Sequence, residues 1–228
     1  MTGTITKVKI CGIRNLDDAQ AAAEAGADFI GLVFVPERHR RLEPEEAGAI
    51  VAGLKGSLAR APSVVGLFAD QPLEEVNSII EGCGLDLAQL CGAESLEYCQ
   101  QVSAPVIKVL HIPDSSSSQV QTGELEERIK SHREAGNLVT LDRLVEGLQG
   151  GTGEGFDWDI AAQLSRRGNS FLLAGGLSPE NVAQAVATVC PWGVDVSSGV
   201  ETGGVKDHEK IRSFIRNARQ QSAVSGQL

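Results

Sequence analysis

The sequence predicts a closed (β/α)8 TIM barrel built as a single domain, and three observations carry that expectation. Short apolar runs alternate with amphipathic or alanine-rich segments about eight times along 228 residues. The apolar runs are near-continuous, which suits strands buried on both faces of a parallel sheet. No composition shift, linker or internal repeat divides the chain, and its length fits one α/β barrel. A doubly wound open sheet is the competing arrangement.

The first run, Lys7-Val8-Lys9-Ile10-Cys11-Gly12, reads as strand one, with Lys9 and Cys11 on one face and Val8 and Ile10 on the other. Asn15 is a helix cap, Asp17 and Asp18 suit the first helical turn, and the alanine-rich run to Ala25 stops at Gly26. Strand two is expected over Asp28–Phe34, followed by a helix over Pro44–Leu58 with Pro44 near its first position. Val64–Phe68, Leu85–Leu90 and Val106–Leu110 read as strands three to five, with helices at Pro72–Ile80, Glu94–Gln101 and Gln119–Arg133. Leu138–Asp142, Ser170–Ala174 and Val194–Ser197 complete the strands, and helices are expected at Asp157–Arg166, Pro179–Thr188 and Lys206–Arg219. Ser115–Ser118 falls in a loop too short to separate domains, and the tail from Gln220 is expected to fray.

Charge and cysteine usage narrow the function. With 30 acidic against 20 basic residues the formal net charge is -10, which disfavours nucleic acid and anionic membrane surfaces as partners. Five cysteines, odd in number and without a Cys-x-x-Cys pair, argue against a disulfide framework or zinc site and suit a reducing cytoplasm. No apolar run approaches a membrane span, and the first residues lack the layout of a signal peptide. The four histidines are not grouped at metal-ligand spacing, and no Gly-x-Ser-x-Gly elbow is present.

In such barrels the active site lies at the C-terminal ends of the strands, which selects a short set of residues. Strand one delivers Lys9 and Cys11, and strand six delivers Asp142. Strands seven and eight end in Ala174-Gly175-Gly176-Leu177 and Asp195-Val196-Ser197-Ser198-Gly199. Two glycine-bearing turns at these places suit a phosphate, because backbone N–H groups can approach an anion there. The loop from Arg143 to Gly155, with Gly151, Thr152 and Gly153, has the glycine content to close over a ligand. It lacks the strand–Gly-x-Gly-x-x-Gly–helix context of a dinucleotide site.

After strand two, Glu37-Arg38-His39-Arg40-Arg41 is the densest basic cluster, suited to holding a carboxylate in a planar fork. Asp142 is expected in a partly desolvated mouth, where burial raises a carboxyl pKa and permits proton donation near neutrality. Cys11 has the opposite need, and the ammonium of Lys9 is expected to favour its thiolate. Strands one and eight become neighbours once the barrel closes, so Asp195 is placed to pair with Lys9. A small core thiol and an interior salt bridge without catalytic meaning are equally consistent with these residues alone. A thiol base facing a carboxylic acid across a phosphate-anchored substrate suggests proton shuttling on a sugar phosphate.

The same residues carry a family resemblance. Val8-Lys9-Ile10-Cys11-Gly12-Ile13, Gly31-Leu32-Val33-Phe34, Val65-Gly66-Leu67-Phe68, Gly150-Gly151-Thr152-Gly153 with Phe156-Asp157-Trp158, Ala174-Gly175-Gly176-Leu177 with Pro179 and Asn181-Val182, and Val194 to Glu201 with Lys206-Asp207 resemble, in order, the phosphoribosylanthranilate isomerases of tryptophan biosynthesis. The resemblance implies an Amadori rearrangement of a phosphosugar without cofactor or metal, in which Asp142 protonates the ring oxygen and Cys11 removes the C2 proton. It also implies phosphate loops at Gly175, Gly176, Ser198 and Gly199, helped by Gly151, Thr152 and Gly153, and a substrate carboxylate meeting Arg40. Lys9 and Asp195 join the substrate-binding set, and the oligomeric state is left at monomer or homodimer.

Two departures stand out. The family's Gln-Leu-His-Gly at strand four is Gln89-Leu90-Cys91-Gly92 here, and its Lys-Ser-x-Arg is Arg38-His39-Arg40-Arg41, so Arg38 or Arg41 could replace Arg40. Competing readings are an inactive phosphate-binding barrel, to which Cys91 points, and the histidine-pathway sugar-phosphate isomerase, which resembles a barrel with aspartate where Cys11 stands.

Overall fold

A computed structural model describes residues 5–58, 60–112, 119–143 and 158–224. The chain opens with β1 (Lys7–Cys11), α1 (Leu16–Glu24), β2 (Phe29–Val33), α2 (Pro44–Ser57), β3 (Ser63–Phe68) and α3 (Leu73–Cys83). It continues with β4 (Leu87–Leu90), α4 (Leu96–Gln101), β5 (Val106–Ile112), α5 (Gln119–Glu134), β6 (Leu138–Arg143) and α6 (Trp158–Arg166). The last elements are β7 (Leu172–Leu173), α7 (Val182–Val189), β8 (Gly193–Val196), a 3-10 turn (Ser198–Val200), a short hairpin of β9 (Glu201–Thr202) and β10 (Val205–Lys206), and α8 (His208–Val224).

Strands β1 to β8 pair in sequence order, all in parallel, and β8 pairs back onto β1, so the sheet is a closed barrel and not an open one. Alternation along each strand divides the core in two. Val8, Ile10, Ile30, Leu32, Val194 and Val196 face outward into a layer shared with the helices. Cys11, Val33, Val65, Leu67, Leu87, Ile107 and Leu172 face inward and fill the barrel.

Local chemistry sets the element ends. Asn15 caps α1 by accepting from the Asp18 backbone N–H at 2.8 Å, and the first turn carries Asp17 and Asp18, complementing the helix dipole. Pro44 opens α2 behind a capping box of Glu43 and Glu46. α3 ends on Gly84, whose φ of 68° is the left-handed conformation that glycine adopts without steric cost.

The departures from the sequence expectation are local. α7 begins at Val182 and not Pro179, because the Ser178 N–H is taken by the Asn181 side chain and Asn181 also donates to the Gly176 carbonyl at 2.9 Å, which holds this segment as a turn. α8 starts at His208 because residues 201–206 form the hairpin that the sequence reading assigned partly to helix, and it continues past Arg219 to Val224. The glycine-rich loop with Gly151, Thr152 and Gly153 lies outside the described residues.

Candidate active site

Lys9, second of the inward residues on β1, is fully buried, and its Nζ donates to Asp195 Oδ2 at 2.7 Å. The two residues are partners in the β1–β8 register, so closing the barrel brings them together. Cys11 follows Lys9 on the same face, one step nearer the C-terminal mouth. A Cβ on Gly31 of the neighbouring strand would lie 2.9 Å from Cys11 Sγ, so the missing side chain there leaves room for the thiol.

Burial is the largest influence on Cys11 and raises its pKa above the ordinary thiol value of 9.0; Lys9 and Lys206 pull it down, and Asp195 pushes it further up. Lys9 acts in the expected direction, favouring the thiolate, but desolvation outweighs it and the net shift is upward. Lys9 is the reverse case. Burial acts to lower its pKa, yet Asp195 and Cys11 outweigh that cost and hold it as ammonium.

Asp142 lies one residue from the end of β6, half-buried, in register with His111 on β5. Thr140, on the same face, is buried inside the barrel, so alternation points Asp142 inward at the mouth where Cys11 opens. Cys91, just past β4, sits in this mouth; burial pushes its thiol up to about 12, with Gln89 acting against that shift. Gln89 Nε2 lies 3.7 Å from Cys91 Sγ. The turn carrying Cys91 is fixed from outside the barrel by Lys108, which donates to the Gly92 carbonyl at 2.7 Å and to Glu94 at 2.7 Å. Gly92 itself admits no side chain, because the Asp70 carboxylate occupies the place of a Cβ.

The loops after β7 and β8 meet. Gly175 and Gly176 take φ of 93° and 69°, a left-handed pair that requires glycine. Gly199, in the 3-10 turn with Ser198, packs so closely on Leu177 that a Cβ would overlap its carbonyl oxygen. The two expected phosphate loops are thus one backbone surface.

Of the arginines after β2, Arg38 and Arg41 are exposed, and Arg41 pairs with Glu43. Arg40 is half-buried and lies across the end of β1, with its Cδ where a Cβ of Gly12 would be. Its guanidinium grips Glu201 through two bonds, Nε to Oε1 at 2.8 Å and Nη2 to Oε2 at 2.7 Å. The sequence reading quoted Glu201 and Lys206 within the resemblance and gave them no role. The signal was the acid–base spacing across a Gly203-Gly204 turn.

Three buried side-chain oxygens have no partner among the described residues: Asp195 Oδ1, Gln89 Oε1 and Thr140 Oγ1, all on inward positions by alternation. Buried acceptors of this kind are costly unless something donates to them. A ligand rich in hydroxyls supplies such donors. Among the described residues no group of three or more His, Cys, Asp and Glu side chains is arranged to hold a metal ion, and no helix is long and apolar enough to cross a membrane.

Comparison with known proteins places this geometry in a family. The family model for N-(5'-phosphoribosyl)anthranilate isomerase matches residues 8–217. The chain is similar to the N-(5'-phosphoribosyl)anthranilate isomerase of Dehalococcoides mccartyi, 43% identical over 213 residues that cover 93% of this chain and 95% of the relative. It is 44% identical to that of Roseiflexus castenholzii over 217 residues, covering 93% and 97%. Among solved structures it superposes on phosphoribosyl anthranilate isomerase from Thermotoga maritima with a TM-score of 0.80 at 34% identity, covering 94% of this chain and 98% of that one. A further structure, at TM-score 0.77, 34% identity and the same coverage, is of phosphoribosyl anthranilate isomerase in complex with reduced 1-(o-carboxyphenylamino)-1-deoxyribulose 5-phosphate. The strand-one thiol, the strand-six carboxylate and the paired glycine loops stand in a chain matched along nearly its whole length, and the chain belongs to the N-(5'-phosphoribosyl)anthranilate isomerase family.

Proposed function

We propose that this protein isomerises N-(5-phosphoribosyl)anthranilate to 1-(2-carboxyphenylamino)-1-deoxyribulose 5-phosphate in tryptophan biosynthesis, an aldose–ketose conversion by acid–base catalysis. The observation that carries the reading is the inward pair Cys11 and Asp142 at the barrel mouth, with Lys9 and Asp195 sealed beneath the thiol.

Asp142 gives its proton to the furanose ring oxygen as the C1–O bond breaks, and the aniline nitrogen lone pair forms an iminium ion. Cys11, as thiolate, takes the C2 proton, and its electrons pass to C1 and the iminium nitrogen, leaving an enolamine. Reprotonation at C1 with loss of the enol proton gives the ketone, so hydrogen moves from C2 to C1 with no net oxidation. Each positioned proton transfer contributes ~10²–10⁴-fold. A thiolate with a raised pKa is scarcer but a stronger base toward a C–H bond, and Lys9 and Lys206 stabilise it while it exists.

The phosphate rests on Gly175, Gly176, Ser198 and Gly199, with Gly151, Thr152 and Gly153 contributing from the glycine-rich loop. Asp195 Oδ1 accepts from a sugar hydroxyl, and Lys9 holds the other carboxylate oxygen. Arg40 meets the anthranilate carboxylate, supported by its being the half-buried arginine of its loop. The enzyme works in the cytoplasm, where its five free thiols stay reduced, as a monomer or homodimer.

Purified protein is expected to discharge the anthranilate-type fluorescence of the substrate, and Cys11→Ala and Asp142→Asn to abolish turnover while still binding it. Full activity in Cys11→Ala would refute the assignment of the base.

A further inference from the structure

The hairpin β9–β10 has no place in the strand–helix repeat, yet it sits at the active end of the barrel. It turns the chain so that Glu201 and Lys206, partners in its antiparallel register, stand side by side. Glu201 Oε1 accepts from Lys206 Nζ at 2.6 Å and from Arg40 Nε at 2.8 Å, while Oε2 accepts from Arg40 Nη2 at 2.7 Å. Lys206 also donates to the Ser197 carbonyl at 2.9 Å, tying the cluster to the end of β8. Both side chains are nearly sealed, Glu201 at 7% exposure and Lys206 at 3%.

This cluster is more than a surface ion pair. Two cations share one carboxylate, so a net positive charge remains at the mouth. Burial favours the neutral form of Glu201, but the bonds from Arg40 and Lys206 outweigh it and hold the carboxyl at about 2, so Glu201 stays ionised across the working range. A guanidinium has two edges that can each take a carboxylate in fork geometry. Glu201 occupies the Nε/Nη2 edge and leaves the Nη1/Nη2 edge without a partner among the described residues. With Cδ seated over Gly12, Arg40 is confined next to Cys11, and its one unoccupied edge is set by Glu201.

We propose that Glu201 is a positioning residue, which Lys206 braces from the hairpin: by gripping one edge of Arg40 it presents the other edge to the carboxylate of the substrate. The inference rests on the reading of Arg40 as the carboxylate partner, and it adds that specificity for the carboxylated ring is set one residue further back. Ordering the long arginine side chain before substrate arrives removes an entropic cost from binding.

The test compares two substrates, N-(5-phosphoribosyl)anthranilate and the carboxylate-free N-(5-phosphoribosyl)aniline, in the full-length wild type, Glu201→Gln, Glu201→Asp and Arg40→Ala. Glu201→Gln is expected to raise KM for the anthranilate about tenfold with kcat nearly unchanged, the scale of one charge-assisted bond lost, and to leave KM for the aniline compound unmoved. Glu201→Asp, too short to bridge both groups fully but still charged, is expected to recover part of the discrimination and serves if the glutamine variant folds poorly. Adding Glu201→Gln to Arg40→Ala is expected to change nothing further. Equal KM losses on both substrates, or a fall in kcat with KM unchanged, would overturn the proposal. If Arg40→Ala abolishes discrimination and neither Glu201 variant alters it, Glu201 alone is dismissed. If Arg40→Ala itself discriminates normally, the reading of Arg40 fails and this inference falls with it.

Discussion

Lys9 Nζ and Asp195 Oδ2 meet at 2.7 Å across the seam where β8 closes on β1, with the ammonium wholly buried and the second carboxylate oxygen buried without a partner among the described residues. Neither charge can be removed alone without stranding the other in a medium that solvates it poorly.

Asp195→Asn is therefore expected to destabilise the fold by about 3–5 kcal/mol, read as a shift in the urea midpoint at constant slope. The double variant Lys9→Met/Asp195→Asn is expected to be more stable than Asp195→Asn, because no unpaired ammonium remains. A double variant that loses as much as the sum of the singles would show that the two charges do not act as a pair.

The rate is expected to follow the thiolate population of Cys11. Because burial holds this thiol above its ordinary value of 9.0, kcat/KM should keep rising with pH on the alkaline side until the fold fails. Lys206→Met removes a cation that favours the thiolate, so its rising limb should move to higher pH. A profile that stays flat above neutrality would assign the base to another group.

Cys91 makes a stability prediction with a definite sign. Its thiol has a pKa of about 12 in the folded chain against 9.0 ordinarily, so the folded state holds the proton more tightly than the unfolded state. That contribution is complete below about pH 9 and is lost as pH rises from 9 to about 12. Cys91→Ala should unfold with a shallower dependence on pH over that window, measured by urea titration at fixed pH values. Equal slopes for the two proteins would place the alkaline loss elsewhere.

Gly31→Ala should damage catalysis more than folding. Its methyl would lie 2.9 Å from Cys11 Sγ and 3.2 Å from Cys11 Cα, so the thiol must leave its position. A loss of kcat of roughly 10²-fold is expected from displacement on the scale of an ångström, with about 1–3 kcal/mol of stability lost to overpacking. A variant with native kcat would mean that the reacting thiol is not the one pressed against Gly31.

Gly199→Ala should act on binding instead. Its Cβ would collide with the Leu177 carbonyl and part the two loops that carry Gly175, Gly176 and Ser198. KM should rise by an order of magnitude or more, and inorganic phosphate should lose its competitive inhibition. Unchanged inhibition by phosphate would remove these loops from the phosphate site.

The barrel was legible because its strands are near-continuous apolar runs and the first helices carry their own signals, Asn15 and Gly26 around α1 and Pro44 at the start of α2. The Lys9–Asp195 pair was legible too, since ring closure dictates that the first and last strands touch. What escaped was decided by context. The sign of the Cys11 shift depends on how much water the fold removes, and the cation beside it in sequence says nothing of that. The hairpin after Val200 is two residues per strand, too brief for periodicity to reveal, and with it went the reason Glu201 and Lys206 face one another. The start of α7 slipped because Asn181 turns back on the loop before it.

Ring closure also sets when the chemistry can first exist. Lys9 and Asp195 are 186 residues apart, and Lys206 lies further still toward the end of the chain. At ~5–20 residues per second a growing chain carries its strand-one thiol for roughly ten to forty seconds before the counter-charges are made. Through that interval Cys11 has no Lys9–Asp195 pair beneath it, and the ring of strands cannot close before β8 is made. Activity therefore waits on the eighth strand, and it reports that the ring has shut.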